Sequence, residues 1–230
     1  MKVMLLAAGV GERMRPLTNH TPKPLLEVGE IPLIEHHIRR LAAFGLHELV
    51  INVSHLGQQI MDYCGDGQRW GVSISYSPEP CPLETAGGII KALKLLGDSP
   101  FMVVNGDVWT DYPFERLLHQ EVDANTNYAH LVFVDNPAQH PLGDYAMDAS
   151  GAVSLKDPNA KGYTYAGFGV YSPRFFSAEP QRKLALRPLL DRAIQAGRVS
   201  GEYYAGEWVD VGTPRRLKIL DQKIKNTATE

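Results

Sequence analysis

The stretch KVMLLAAGVGERMRPLTNHTPKPL (residues 2–25) changes character at Gly9. Before it, KVMLLAA (residues 2–8) is an apolar run of strand length. From Gly9 onward come two glycines, two arginines, three prolines and a lysine within a few turns of chain. Gly9 and Gly11 let the backbone turn sharply and bring amide N–H groups close to an anion. Arg13 and Arg15 follow at once, and Lys23 lies between Pro22 and Pro24, whose rings fix φ and are expected to hold the chain extended there. Three cations over one loop repel one another unless solvent or an anion lies between them, and a polyphosphate meets that need. A dinucleotide fingerprint is disfavoured because Met14 stands at its third glycine, and the P-loop pattern is absent.

Working outward, ELVINV (residues 48–53) and FMVVN (residues 101–105) repeat the short apolar pattern of parallel strands covered on both faces. Helical patterns lie between. Ile34, Ile38 and Leu41 recur at helix spacing between Pro32 and Gly45, and Ile89, Leu93 and Leu96 do so ahead of Gly97. VSISYS (72–77), YAHLVFVD (128–135) and GYTYAGFGVY (162–171) are β-branched and aromatic, as strands of a mixed sheet are. Residues 136–161 read as a loop region or hairpin over a site, with AVSL its one strand. Two late helices are expected, one over 181–196 interrupted by Pro188 and one from Pro214 with Thr213 as N-cap. The fold expected is α/β, a Rossmann-like three-layer α/β/α arrangement with a mixed, mainly parallel central sheet. One domain spans 1–230, with a nucleotide-binding half over about 1–110 and a sugar-binding half over about 111–230.

Composition narrows the class. The chain has 230 residues, 44% of them apolar, enough for a sizeable core. A formal charge of −3 with no like-charge block argues against a nucleic-acid groove or a membrane-binding patch. Two cysteines, Cys64 and Cys81, are too few for a disulfide framework and read as structural thiols in a reducing compartment. The first apolar run breaks at Gly9 and is too short for export, and no later run reaches the ~20 residues of a membrane span. A cytoplasmic location is expected.

Two carboxylates stand out. Asp107 follows FMVV in NGD (105–107), at the strand end where ligands bind in open α/β sheets. Asp210 follows a short apolar alternation in WVDVGT (208–213). Converging on one cleft, they suit Mg²⁺, a hard cation that takes carboxylate and phosphate oxygens. In SPEPCPLETAGGIIKAL (77–93), Thr85 can cap a helix, and Gly87 and Gly88 leave room for a flat base. Glu79 can accept a ring N–H, serving uracil and guanine alike.

These motifs together resemble those of the sugar-1-phosphate nucleotidyltransferases. The family pattern L-x-x-G-x-G-x-R-[LM]-x-P-L-T stands here over Leu6–Thr18 and P-K-P-[LM] over Pro22–Leu25, while NGD and WVDVGT match its metal-ligand motifs. The resemblance implies Mg²⁺ on Asp107 and Asp210, with Arg13, Lys23, Asp107 and Asp210 as the catalytic set. It places the nucleotide on Ala8, Gly9, Gly11, Glu12, Arg13, Lys23, Glu79, Thr85 and Gly87. Sugar contacts fall on Asn105, Gly143, Asp157, Ala166 and Trp208. Glu84 departs from the pattern where glycine is common, and Lys156-Asp157-Pro158 stands in place of E-K-P.

The reaction so implied is Mg-dependent transfer of a nucleotidyl group from UTP to a sugar 1-phosphate, giving a UDP-sugar and pyrophosphate. The short chain, ETAGG and YAGFGVYSP are most similar to members acting on N-acetylmuramate 1-phosphate in peptidoglycan recycling. Mannose-1-phosphate guanylyl transfer and a non-catalytic nucleotide-sensing module are the alternatives. A monomer or small homo-oligomer is expected. Adjacent His36 and His37 would diverge on a helix and are expected at the surface or a subunit contact. His20, His119 and His140 have no partners at ligand spacing.

Overall fold

The computed structural model describes residues 1–227. Strand β1 (Val3–Leu6) leads into the glycine loop, and a small hairpin of β2 (Glu27–Val28) and β3 (Ile31–Pro32) precedes α1 (Leu33–Ala43). There follow β4 (Glu48–Val53), α2 (Gly57–Cys64), β5 (Ser73–Pro78), α3 (Glu84–Leu96), β6 (Phe101–Asn105) and β7 (Val108–Thr110). The second half holds β8 (Ala129–Val134), β9 (Ala146–Met147), β10 (Val153–Ser154), β11 (Thr164–Tyr171), α4 (Arg187–Gln195), β12 (Val199–Tyr203), β13 (Trp208–Asp210) and α5 (Pro214–Thr227).

Seven strands form one sheet in the order β12-β8-β11-β6-β1-β4-β5. Strand β11 runs antiparallel to both its neighbours, while the other four pairings are parallel. The sheet is therefore mixed and mainly parallel, as the apolar runs imply. Because side chains alternate across a strand, each strand feeds two cores. Val3 and Leu5 of β1 join Ile34, Ile38 and Leu41 of α1 on one face. Met4 joins Ile89 and Ala92 of α3, with Leu189 and Leu190 of α4, on the other. Helices cover both faces, giving the three layers.

Strand β11 is inserted between β6 and β8, so the sheet runs unbroken from one half of the chain to the other. The C-terminal helix also crosses back. Leu220 and Ile224 of α5 pack with Val28 and Leu33, and Asp221 accepts a hydrogen bond from the Gly29 N–H at 2.8 Å.

Several local expectations change. Pro188 lies in the first turn of α4, where its missing N–H is not needed, so it starts that helix instead of interrupting it. Residues Lys23–Leu25 form a single 3₁₀ turn between the extended Pro22 and Leu26, with the Leu26 N–H closing onto the Lys23 carbonyl. The AVSL segment contributes only Val153–Ser154, paired with Ala146–Met147. His37 is buried, not superficial, and its Nε2–H donates to the Val108 carbonyl at 2.7 Å. His36 is partly buried and donates to the Val28 carbonyl at 2.8 Å. Thr213 caps α5 as expected, accepting from the Arg216 N–H at 3.3 Å.

Candidate active site

A cleft opens at the C-terminal ends of β1, β4 and β6, where an open parallel sheet presents uncovered strand ends. It is lined from β1 by Ala8 and Gly9, from the following turn by Lys23, and from the end of β6 by Asn105 and Asp107. Glu79 and Thr85 line it from the other side. Seven residues predicted to bind substrate thus share one depression.

The loop that follows β1 is folded on itself. Gly11 sits at φ 69°, the left-handed region that glycine adopts without strain, and starts a one-turn helix over Glu12–Met14. The Thr18 hydroxyl donates to the Gly11 carbonyl at 2.8 Å, and Met14 anchors the turn in the interior. Glu12 and Arg13 remain exposed on this turn. Lys23 points inward with a side chain only 10% exposed, its Nζ 2.7 Å from Asp107 Oδ2. A buried ammonium needs a partner, and Asp107 supplies it while leaving its other oxygen without a protein hydrogen bond among the described residues.

Asp210 is brought beside Asp107 by a short antiparallel ribbon in which β13 pairs with β7 and Asp210 opposes Val108. The Val211 N–H donates to the Asp107 carbonyl at 2.9 Å. Asp210 Oδ2 accepts from Arg216 at 2.8 Å. Among the described residues no cluster of three or more acidic, histidine or cysteine side chains could hold a metal alone. Two carboxylates on adjoining strands, each with an oxygen not bonded to protein, fit Mg²⁺, which is commonly held by one or two carboxylates plus substrate phosphates.

The far wall is built by a hydrogen-bonded chain that only part of the sequence reading reached. Asn52, the penultimate residue of β4, lines the cleft. Its Oδ1 accepts from the Ala7 N–H at 2.8 Å, and its Nδ2 donates to Glu79 Oε1 at 2.7 Å. Glu79 Oε2 accepts from the Leu83 N–H at 2.9 Å, so this 5% exposed carboxylate is held from both ends. Asn52 carries a weaker form of the signal at Asn105, a polar residue near the end of an apolar strand.

The glycines of ETAGG are closely packed against the wall of the cleft and its surroundings. A Cβ at Gly88 would lie 2.7 Å from Glu79 Oε1 and 2.8 Å from Asn52 Nδ2. One at Gly87 would collide with the Arg182 carbonyl. That carbonyl belongs to a strap over α3, tied by Leu184 N–H to Leu83 O and by Gly87 N–H to Leu184 O. Thr85 lies inside α3, whose N-cap is Leu83, and makes no cap hydrogen bond. Glu84 adopts φ 60°, which explains why glycine is at home in this position.

Next to the cleft lies a second depression that shares Glu84, Thr85 and Asn105 with it and extends to Asp144, Tyr165 and Arg187. Asp144 accepts from the Tyr165 N–H at 2.9 Å, and Arg187 reaches both Asp144 and Asp191. Burial pushes the Tyr145 and Tyr165 phenols up, keeping both protonated; Tyr145 donates to Asp191 Oδ1 at 2.7 Å, and Tyr165 shares a hydrogen bond with the Tyr171 hydroxyl. Asn105 is the predicted sugar residue that lines this depression. Gly143 is buried beside Asp144. Ala166 is fully buried, with its carbonyl accepting from Trp208 Nε1 at 2.8 Å. Asp157 is exposed on a turn and lines neither depression. Asp144, Tyr165 and Arg187 were not foreseen, because their segments meet only through long-range contacts, the pairing of 145 with 163 and the ion pair of Arg187 with Asp144 among them.

The family model described as nucleotidyl transferase matches residues 2–227. The chain belongs to the nucleotidyl transferase family. Over 221 residues it is 48% identical to the N-acetylmuramate alpha-1-phosphate uridylyltransferase of Neisseria meningitidis serogroup B, covering 95% of this chain and 96% of that protein. It is 31% identical to the mannose-1-phosphate guanylyltransferase catalytic subunit beta of Danio rerio, of which it spans 62% while 94% of its own length is matched. A Bacillus anthracis structure described provisionally as a glucose-1-phosphate thymidylyltransferase, in complex with sucrose, superposes with a TM-score of 0.86 at 21% identity. That match covers 98% of this chain and 96% of the other, a likeness of fold. This nucleotidyl transferase is thus an enzyme of the sugar-1-phosphate nucleotidyltransferase superfamily, whose reaction joins a nucleotidyl group to a sugar 1-phosphate. No helix among the described residues is long and apolar enough to cross a membrane.

Proposed function

We propose that the enzyme transfers the uridylyl group of UTP to N-acetylmuramate 1-phosphate, releasing pyrophosphate. The observation that carries this reading is the end-to-end match, 96% of its length, to a uridylyltransferase named for that sugar phosphate. The guanylyltransferase match leaves more than a third of the longer protein unpaired.

In the proposed mechanism the acceptor phosphate is anionic near neutral pH and attacks the α-phosphorus directly, so no strong general base is needed. The obstacle is repulsion between two anions. Lys23 would exchange Asp107 for the α-phosphate, neutralising charge as the pentavalent centre forms. The backbone N–H groups around Gly11 and the Arg13 guanidinium would hold the β- and γ-phosphates. Asp107 and Asp210 would hold Mg²⁺, which would supply positive charge against the repulsion of the phosphates. Asn105, between the two depressions, would orient the sugar phosphate. Fixed charges and alignment then account for most of the acceleration.

One feature favours a second reading, guanylyl transfer to mannose 1-phosphate. Glu79 presents a carboxylate, and the N1–H and N2–H groups of guanine can meet two carboxylate oxygens, whereas uracil offers one N–H. A cross of four nucleoside triphosphates with several sugar 1-phosphates, read by pyrophosphate release with Mg²⁺ present, decides between them. Release with UTP and N-acetylmuramate 1-phosphate is expected. Release confined to GTP with mannose 1-phosphate would overturn the proposal. Nucleotide binding without release under any combination would instead point to a sensing module.

A further inference from the structure

Arg216 lies in the first turn of α5 and turns its guanidinium back over Gly212. Its Nη1 donates to Asp210 Oδ2 at 2.8 Å, with the two side chains 18% and 27% exposed. The space above Gly212 is shared by three charged groups. A Cβ there would collide with Arg216 Nη2, and would stand 2.9 Å from Asp210 Oδ1 and 3.3 Å from Arg13 Nη2. Two guanidiniums therefore face one carboxylate across a glycine, leaving a local excess of one positive charge. Arg216 Nε is buried without an acceptor, so this guanidinium has donor capacity that the protein leaves unused.

The arrangement parallels the Lys23–Asp107 pair at the same end of the β7–β13 ribbon. Each carboxylate that suits a divalent cation is neutralised by a basic side chain. A cation that takes Asp210 removes the acceptor of Arg216 and leaves two guanidiniums facing each other. They then require an anion with several oxygens.

We propose that Arg216 is an exchange residue, which holds Asp210 while the site is empty and moves to the terminal phosphates of the nucleotide, beside Arg13, when a divalent cation takes Asp210. Cation and polyphosphate then bind cooperatively, because each relieves the charge that the other leaves uncompensated, and the coupling is reciprocal. The released pyrophosphate is held by the same pair of guanidiniums. The inference rests on Asp210 as a metal ligand, the reading given above.

The test uses the full chain with Arg216→Gln and Arg216→Lys. Free Mn²⁺ is titrated by electron paramagnetic resonance without nucleotide, and pyrophosphate binding is measured by calorimetry with Mn²⁺ present. Arg216→Gln should bind Mn²⁺ about 3-fold or more tighter than the native chain, since a competing cation is gone. It should bind pyrophosphate about 10-fold or more weaker, the scale of a charge-assisted hydrogen bond. Arg216→Lys, which keeps the charge but not the fork, should fall between the two on both measures. Unchanged or weaker Mn²⁺ binding in Arg216→Gln, or unchanged pyrophosphate binding, overturns the exchange. Asp210→Asn separates the two layers: native Mn²⁺ affinity in that variant removes Asp210 as a ligand and overturns both. Loss of Mn²⁺ binding there, beside a silent Arg216→Gln, overturns the exchange alone.

Discussion

The side-chain amide of Asn52 donates to Glu79 Oε1 at 2.7 Å, joining the ends of β4 and β5 at the wall of the cleft. The same amide's oxygen receives the Ala7 N–H, so one side chain ties the Glu79 wall to the strand that leads into the glycine loop. Asn52→Leu leaves both a buried N–H and a buried carboxylate oxygen without a protein partner. Loss of a hydrogen bond to a charged group costs about 1.5–3 kcal/mol. The KM for nucleoside triphosphate should rise about 10-fold or more with a smaller change in kcat. Steady-state pyrophosphate release checks this, and an unchanged KM would remove Asn52 from the binding wall.

Lys23 and Asp107 are joined through a 2.7 Å ion pair, and both line the cleft. Replacing either by alanine should lower kcat ~10²-fold or more, the scale of losing a preorganised charge partner. Near-native turnover by Lys23→Ala or Asp107→Ala would refute their roles.

Glu84 carries a left-handed backbone, φ 60°, at the junction of the two depressions. A residue with a Cβ pays about 1–2 kcal/mol for that conformation, partly offset in glycine by greater freedom of the unfolded chain. Glu84→Gly should therefore be more stable than Glu84→Ala by about 0.5–1 kcal/mol in urea denaturation. The reverse order would mean that the left-handed conformation carries no strain.

His37 donates to the carbonyl of Val108, next to Asp107, from a fully enclosed position. Burial disfavours its charged form and brings its pKa down to about 4, with the bond to Val108 opposing in part. The unfolded chain therefore takes up a proton near pH 6.5 that the folded chain refuses until about pH 4. Stability from this residue is complete above pH 6.5 and is lost as pH falls toward 4, by about 3 kcal/mol at most. His37→Gln, a neutral donor in the same place, should flatten the difference in unfolding free energy between pH 7.5 and 5. An unaltered difference would show that His37 is not the residue responsible.

Periodicity and chemistry along the chain determined the layered fold and much of one wall of the site. Strands that alternate between two cores must be apolar throughout, and glycine, proline and polar residues at their ends mark the turns where a ligand can approach. Gly9, Lys23, Asn105 and Asp107 were legible for that reason. Asp210 was legible as a strand-end acid, but its place beside Asp107 depends on the β7–β13 ribbon. What only the tertiary structure decided is which distant segments meet. The partners of Asp210 and Asn52, the burial of His37, the strap that fills the space at Gly87 and the displacement of Asp157 all involve contacts between such segments. Local propensity acts over a few residues, whereas these contacts arise when β11 inserts between β6 and β8 and α5 folds back onto the first hairpin, an outcome of packing that no short stretch encodes.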